Sequence, residues 1–180
     1  GGGGTGRARM VRGAPVTDSP AGSRAARGVL AACGNGRRRG RGQAVETSLC
    51  EAGITHTYWQ AAIAMATGAA PGPMGSAHPL NAPYEAFETA DGWITIGAAN
   101  QTNWLRLLAV LNAGPLSAEP LSADPRFAAN RDRMAHREEL AAALAPHFRQ
   151  ATSEEWLARL EAGGVPAGPV LDVAAMHRDP

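Results

Sequence analysis

The stretch Tyr84–Gly97, YEAFETADGWITIG, carries the clearest structural signal in this sequence of 180 residues. Two β-prone runs, 84–88 and 93–97, flank the tetrapeptide Thr89-Ala90-Asp91-Gly92. An Asp-Gly pair between such runs is the chemistry of a tight turn that joins antiparallel strands. The stretch therefore predicts a β-hairpin.

Helical patterns follow the hairpin. Segment 101–112 places large apolar residues on one helical face, which predicts an amphipathic helix with Trp104 in the core. Segment 131–150 has helical composition, and Pro146 predicts a kink near its end. Thr152 and Glu155 form a capping-box pattern, which predicts the start of another helix with Trp156 facing inward.

The end of the sequence is less regular. Val165–Leu171 is bounded by prolines and is predicted to be extended. Asp172 supplies a side-chain oxygen that suits the cap of a last short helix.

Upstream of the hairpin the signals are weaker. Thr17–Pro20 offers a capping oxygen followed by proline, so a helix is expected over 21–33, ended by Gly34-Asn35-Gly36. A short strand is expected at 44–47. The capping box Ser48-Leu49-Cys50-Glu51 predicts a helix over 49–66.

A proline- and glycine-rich stretch divides the chain. Four Pro and three Gly lie between Thr67 and Pro83, a composition that regular elements do not tolerate. The predicted organisation is therefore a first part at 1–66, a linker at 67–83 and a small α+β domain at 84–180. The predicted fold class is α+β, with helices predominating.

Composition predicts a thin core. Apolar residues make up 44% of the sequence, but 38 of them are Ala, and Leu, Ile, Val and Phe together number only 29. Two cysteines without a CxxC motif indicate neither a disulfide scaffold nor a zinc site, so a reduced, cytoplasmic protein without a metal is expected. No apolar run approaches the length of about 18 residues that a membrane helix needs, so no membrane partner is expected.

Charge is distributed unevenly. Residues 1–45 carry nine Arg and one acid, Asp18, whereas residues 46–180 carry eight Arg and fifteen acids. A Gly/Arg-rich segment such as Gly1–Arg12 suits phosphate contacts with nucleic acid. The alternative is a frayed terminus and a solvated turn, and it is favoured because no aromatic residue that could stack on bases precedes Tyr58.

Ten short segments follow one another in an order that resembles one enzyme family. They are PVTDSPAG (15–22), GVLAA (28–32), RGRGQ (39–43), VETSLCEA (45–52), AHP (77–79), APYEAF (82–87), TADG (89–92), DPRF (124–127), EWL (155–157) and GVPAGPV (164–170). Over about residues 14–180 the chain resembles class III CoA-transferases, the family of formyl-CoA transferase, the carnitine CoA-transferases and BaiF-like enzymes.

The resemblance implies an organisation. Members of this α/β family are roughly twice as long and begin with a Rossmann-like half. The chain is therefore expected to be an internal fragment, or a truncated gene product, that combines the end of that large domain with the small α+β domain. Family subunits interlock as two linked rings, so the full-length protein is expected to be a homodimer.

The resemblance also implies a nucleophile at Asp18. In the family, an aspartate at this position attacks an acyl-CoA thioester and passes through a mixed anhydride to an aspartyl-CoA thioester, with coenzyme A bound only as substrate. The neighbouring Arg12, Arg24 and Arg27 are expected to favour the charged carboxylate. The alternative role of Asp18 is to cap the following helix.

Four further residues are candidates for substrate binding. Gly72 and Gly75 resemble the glycine-bearing loop that covers the reactive aspartate, although a linker has the same composition. Leu49 stands where a residue lines the substrate pocket, although a core leucine is the simpler interpretation. His78 suits a substrate carboxylate, although a single His beside Pro in a loop is more often a turn residue.

Several functions remain open at this point. The leading one is CoA transfer between an acyl-CoA and a carboxylic acid through Asp18. A second is a 2-methylacyl-CoA racemase, in which the same aspartate transfers protons together with a histidine from the missing half. A third is a catalytically silent folding or assembly module with exposed surfaces meant for burial.

Overall fold

The protein consists of two compact units, residues 1–75 and 76–180. The computed structural model describes residues 16–114 and 117–178. The boundary between the units falls inside the proline- and glycine-rich stretch 67–83. Their assignment to a large and a small domain of an enzyme stays a prediction, and Gly1–Arg12, the candidate nucleic-acid segment, lies outside the described residues.

The described part of the first unit is helical. It contains α1 (Asp18–Arg39), α2 (Leu49–Thr55) and α3 (Tyr58–Thr67). The capping box predicted at the start of α2 is confirmed, because the Ser48 hydroxyl accepts from the Glu51 amide and the Glu51 carboxylate accepts from the Ser48 amide. Two backbone donors at the helix start are thereby satisfied.

The predicted end of α1 was wrong. The helix continues through Gly34 and Gly36 to Arg39 and stops at Gly40, whose φ of 69° is left-handed and whose amide donates to the Gly36 carbonyl. An interior glycine costs about 1 kcal/mol relative to alanine. Three arginines in the last turn oppose that cost, because cations are favourable at the negative end of a helix dipole.

Two other predictions for the first unit were also wrong. Segment 44–47 forms no strand. The helix predicted over 49–66 is interrupted between Thr55 and Tyr58, where the amides of His56 and Thr57 bond to carbonyls only three residues back. The Thr57 hydroxyl also donates to the Ile54 carbonyl. A threonine hydroxyl that competes for backbone carbonyls favours such a break.

The second unit is built on a small antiparallel sheet. Strands β1 (Tyr84–Glu88) and β2 (Trp93–Gly97) form the predicted hairpin, with Tyr84 opposite Gly97 and Glu88 opposite Trp93. Strand β3 (Ala167–Pro169) pairs with the other edge of β2, so the strand order is β1-β2-β3. Because side chains alternate along β2, Ile94 and Ile96 are buried while Trp93 and Thr95 are exposed.

Helices cover this sheet. Their bounds are α4 (Gln101–Asn112), α5 (Glu119–Ala123), α6 (Asn130–Ala135), α7 (Arg137–Phe148), α8 (Ser153–Ala162) and α9 (Val173–Met176), with a 3-10 turn at Pro125–Phe127. The helix predicted over 101–112 and the caps at Thr152 and Asp172 are confirmed. Segment 131–150 is helical as predicted, but it divides at His136 into two helices, and Pro146 lies inside α7.

The core of the second unit is aromatic and aliphatic. The rings of Phe87 and Phe148 lie 4.9 Å apart, and those of Phe148 and Trp156 lie 5.1 Å apart. The Trp156 indole donates to the Phe148 carbonyl at 2.7 Å, which satisfies its buried N–H. Trp104 and Trp156 are buried, as the sequence predicts.

A buried arginine ties three segments of this unit together. Arg133 of α6 is fully buried, and its Nε donates to the Ala82 carbonyl at 2.7 Å. Its Nη1 donates to the Phe127 carbonyl at 3.0 Å and to Gln101 Oε1 at 3.1 Å. The guanidinium lies over the Trp104 ring, 5.1 Å from its centre. Its Nη2 has no hydrogen-bond partner in the described part of the chain.

The hairpin turn is attached to the start of α8. The Asp91 carboxylate accepts from the Ser153 amide at 2.8 Å, and the Thr89 and Ser153 hydroxyls are 2.8 Å apart. The Ala90 amide also donates to the Ala151 carbonyl. The hydrogen bond that the Ser153 amide donates is the main cause of the lowered pKa of the Asp91 carboxyl group. The Asp-Gly turn therefore also serves as a cap for a distant helix.

Candidate functional site

Asp18 is the first residue of α1, and its side chain is exposed. The Thr17 hydroxyl donates to its carboxylate at 3.1 Å and does not cap a helix amide, contrary to the predicted cap. The first amides of a helix lack intrahelical acceptors and form its positive end. An anionic side chain at this position is therefore electrostatically favoured.

The arginines near Asp18 have other partners. The Arg24 guanidinium donates to the Thr55 hydroxyl, and Arg27 donates to the Ser23 carbonyl. Within residues 16–114 and 117–178, no ion pair joins either of them to Asp18. Arg12 lies outside the described residues. Arg24 and Arg27 thus make no direct contact of this kind with the carboxylate.

Helix α2 packs against the start of α1. A Cβ built on Gly53 would lie 3.2 Å from Thr17 Cγ2, so the two helices approach closely beside Asp18. The hydrogen bond between Arg24 and Thr55 joins the same helices. A side chain larger than hydrogen at position 53 would push on the residue that precedes Asp18. These contacts hold the chain around the carboxylate.

Leu49 begins α2 and is 53% exposed. The interpretation of Leu49 as a core leucine is therefore wrong. The role of Leu49 as a pocket-lining residue stays a prediction.

The two candidate glycines lie in the stretch that ends the first unit. Gly75 has a φ of 63°, a left-handed conformation that favours glycine. A Cβ at Gly72 or Gly75 would meet no atom within 4 Å. At these two positions, the left-handed φ of Gly75 is thus the one reason that the structure gives for glycine.

His78 belongs to the second unit, and its ring is occupied by local contacts. It stacks on Tyr84 with ring centres 4.9 Å apart, and its Nδ1 accepts from the Leu80 amide at 3.1 Å. The His78 amide donates to the Tyr84 carbonyl. These contacts support the interpretation as a turn residue, and the substrate-binding role of His78 stays a prediction.

The first unit exposes a large amount of apolar surface. Among its described residues 16–75, only Ala21 and Ala52 are buried. Large side chains on all three helices are exposed, including Leu30 at 73%, Ile54 at 62% and Met65 at 87%. Surface of this kind is typical of a region that packs against further protein.

Comparison with known proteins identifies the family. The model of CoA-transferase family III matches residues 1–180. The chain belongs to this family. A solved CAIB/BAIF family protein from Brucella suis has the same fold, with a TM-score of 0.78, 32% sequence identity and coverage of 99% of this chain and 46% of that one.

Two curated relatives agree with this family. An acyl-CoA transferase of Fusarium pseudograminearum is 35% identical over 79% of this chain and 30% of its own length. An acetyl-CoA:oxalate CoA-transferase of Acetobacter aceti is 31% identical over 82% of this chain and 36% of its own length. The family III chain thus spans about a third of the length of these relatives. The family match and the fold of the Brucella suis protein confirm the predicted family and fold class.

Sequence reasoning did not find the partners that surround the candidate site. Thr55 lies 31 residues from Arg24, and neither periodicity nor capping patterns connect them. In the described part of the chain, no cluster of His, Cys, Asp and Glu could hold a metal ion. In the same residues, no helix is both long and apolar enough to cross a membrane.

Proposed function

We propose that this family III chain takes part in CoA transfer between an acyl-CoA thioester and a carboxylic acid, with Asp18 as the nucleophile. The observation that carries the proposal is an exposed carboxylate at the start of α1, in a chain that the family model matches throughout. Its position at a helix start supports an anionic nucleophile.

The proposed reaction begins when Asp18 attacks the thioester carbonyl. The C–S bond breaks, CoA leaves as the thiolate, and a mixed anhydride forms. The thiolate then attacks the Asp18 carbonyl carbon of the anhydride, so that the donor acid is released and an aspartyl-CoA thioester remains. The acceptor carboxylate reverses these two steps. Covalent catalysis divides one difficult exchange into easier ones.

Two features near Asp18 suit this chemistry. The amides of the first turn of α1 can stabilise negative charge that develops on an oxygen next to the carboxylate. The Thr17 hydroxyl, 3.1 Å from Asp18 Oδ2, can hold the carboxylate in one orientation. The start of α1 thus supplies positive potential next to the carboxylate in this proposal, without an ion pair from Arg24 or Arg27.

The proposed partners are an acyl-CoA, a carboxylic acid and a second copy of the full-length protein. The relative from Acetobacter aceti is named for acetyl-CoA and oxalate, which makes acetyl-CoA and oxalate reasonable first probes. The apolar surface of the first unit supports contact with further protein.

The test is chemical trapping on the 180-residue chain. The protein is incubated with acetyl-CoA, treated with hydroxylamine and digested, and the peptide that contains Asp18 is analysed by mass spectrometry. We expect a hydroxamate at Asp18 in the unchanged protein and none in Asp18→Asn. Glu119→Gln is the matched control, because Glu119 is an exposed acid at the first position of another helix.

Three outcomes would contradict the proposal. Acyl exchange with unmodified Asp18 would refute this nucleophile. Exchange of the α-hydrogen of a 2-methylacyl-CoA with deuterated solvent, without CoA transfer, would favour the racemase. Absence of both reactions would favour the catalytically silent module.

A further inference from the structure

An apolar groove lies between α4 and the end of α8 in the second unit. Its volume is about 510 Å³, within the range of small-molecule sites. Its apolar lining comes from Ala109 and Val110 of α4, from Ala113 directly after α4, and from Ala162 and Gly163 at the end of α8. None of these residues belongs to the candidate site around Asp18.

The groove depends on residues without bulky side chains. Gly163 ends α8, and a Cβ at this position would collide with Val110 Cγ2. Glycine therefore lets the end of α8 approach α4 closely. A large side chain at Ala109 or Ala113 would fill the space that remains.

Two arginines complete the lining. Arg106 Nη1 donates to the Gly164 carbonyl at 3.3 Å, and the Arg159 guanidinium lies 5.1 Å from the centre of the Trp156 ring. In the described part of the chain, neither arginine forms an ion pair. The groove thus combines an apolar surface with two positive charges that carry no carboxylate partner.

We propose that this groove binds an amphipathic carboxylate, separately from the reaction at Asp18. The aliphatic chain would lie on the alanines and Val110, where burial of apolar surface favours binding. The carboxylate would pair with Arg106 and Arg159, whose planar guanidinium groups match carboxylate geometry. A neutral molecule of the same length lacks the pairing with the arginines, and a short anion lacks the burial of apolar surface.

The test is isothermal titration calorimetry of the 180-residue chain with sodium octanoate. Octan-1-ol and acetate are the matched ligands that lack the charge and the aliphatic chain. We expect saturable binding of octanoate and at least tenfold weaker binding of both matched ligands. Arg106→Gln with Arg159→Gln should weaken octanoate binding at least tenfold, whereas Arg131→Gln, at a side chain that is 92% exposed, should not change it.

A second variant tests the position of the ligand. Ala113→Phe should abolish octanoate binding by filling the groove, while Ala142→Phe on an exposed position of α7 should leave it unchanged. Equal binding of octanoate and octan-1-ol, or unchanged binding in the double arginine variant, would overturn the proposal. Self-association that Ala113→Phe removes would instead identify the groove as a protein contact.

Discussion

Replacement of Arg133 by methionine tests whether a buried cation holds the second unit together. The substitution keeps a stem of similar length but removes the hydrogen bonds to the carbonyls of Ala82, Phe127 and Ala128 and to the Gln101 side chain. A hydrogen bond from a charged donor contributes about 1.5–3 kcal/mol. Removing the buried charge also removes a desolvation cost of several kcal/mol. The expected net loss in the free energy of unfolding is therefore about 3 kcal/mol.

The assay is urea and thermal unfolding followed by tryptophan fluorescence. A Trp59→Phe background removes the tryptophan of the first unit, so the signal comes from the second unit. For a unit of this size, a loss of about 3 kcal/mol corresponds to a fall in Tm of about 12 °C. Arg133→Lys retains the charge but lacks the planar guanidinium group. We expect its fall in Tm to be smaller than that of Arg133→Met.

Arg131→Met is the matched control on the same helix. Its side chain is 92% exposed and pairs with Asp132 at 3.5 Å, so we expect a change in the free energy of unfolding within about 0.5 kcal/mol. If Arg133→Met were as stable as the unchanged protein, the hydrogen bonds of Arg133 would not exceed the cost of burying its charge, and the reasoning would be refuted.

Two more predictions concern local interactions in the second unit. Thr152→Ala removes the hydroxyl that accepts from the Glu155 amide, and should cost about 1 kcal/mol in urea unfolding, whereas the exposed Thr102→Ala should cost almost nothing. Burial raises the pKa of Glu85, and the charge of Arg137 opposes this only in part. The unfolded chain therefore loses the Glu85 proton first as pH rises above about 4.5, which lowers stability above that pH. We expect Glu85→Gln to raise the urea midpoint at pH 7.5 and to leave it unchanged at pH 4; an equal effect at both pH values would contradict this sign.

The features that the sequence predicted well are those with local chemistry. The hairpin depends on an Asp-Gly turn between two β-prone runs, and the two capping boxes each depend on residues three positions apart. Helix 101–112 follows from one apolar face. Such signals need no knowledge of the tertiary structure.

The predictions that failed depend on competition between alternatives or on distant contacts. Gly34 and Gly36 suggested a helix end, but the stop at Gly40 is set by its left-handed backbone. The break between α2 and α3 arises from threonine hydroxyls that compete for carbonyls. Arg133 gave no signal at all, because one of its acceptors lies 51 residues away along the chain.

The same distinction applies to the candidate site. The position of Asp18 at a helix start follows from nearby residues and was predicted from the sequence. The partners of Arg24 and Arg27 depend on the packing of α1 against α2 and on the backbone of α1 itself, which local sequence patterns do not reveal.

The attachment of the hairpin turn to α8 has a consequence for folding during synthesis. Asp91 and Ser153 are 62 residues apart, so the ribosome releases the hairpin well before its helical partner exists. Until then the Asp91 carboxylate and the Ala90 amide are satisfied by water, and the strands are held by their own pairing alone. A two-stranded hairpin is marginal in isolation. The hairpin should therefore become resistant to proteases only once the nascent chain has passed α8.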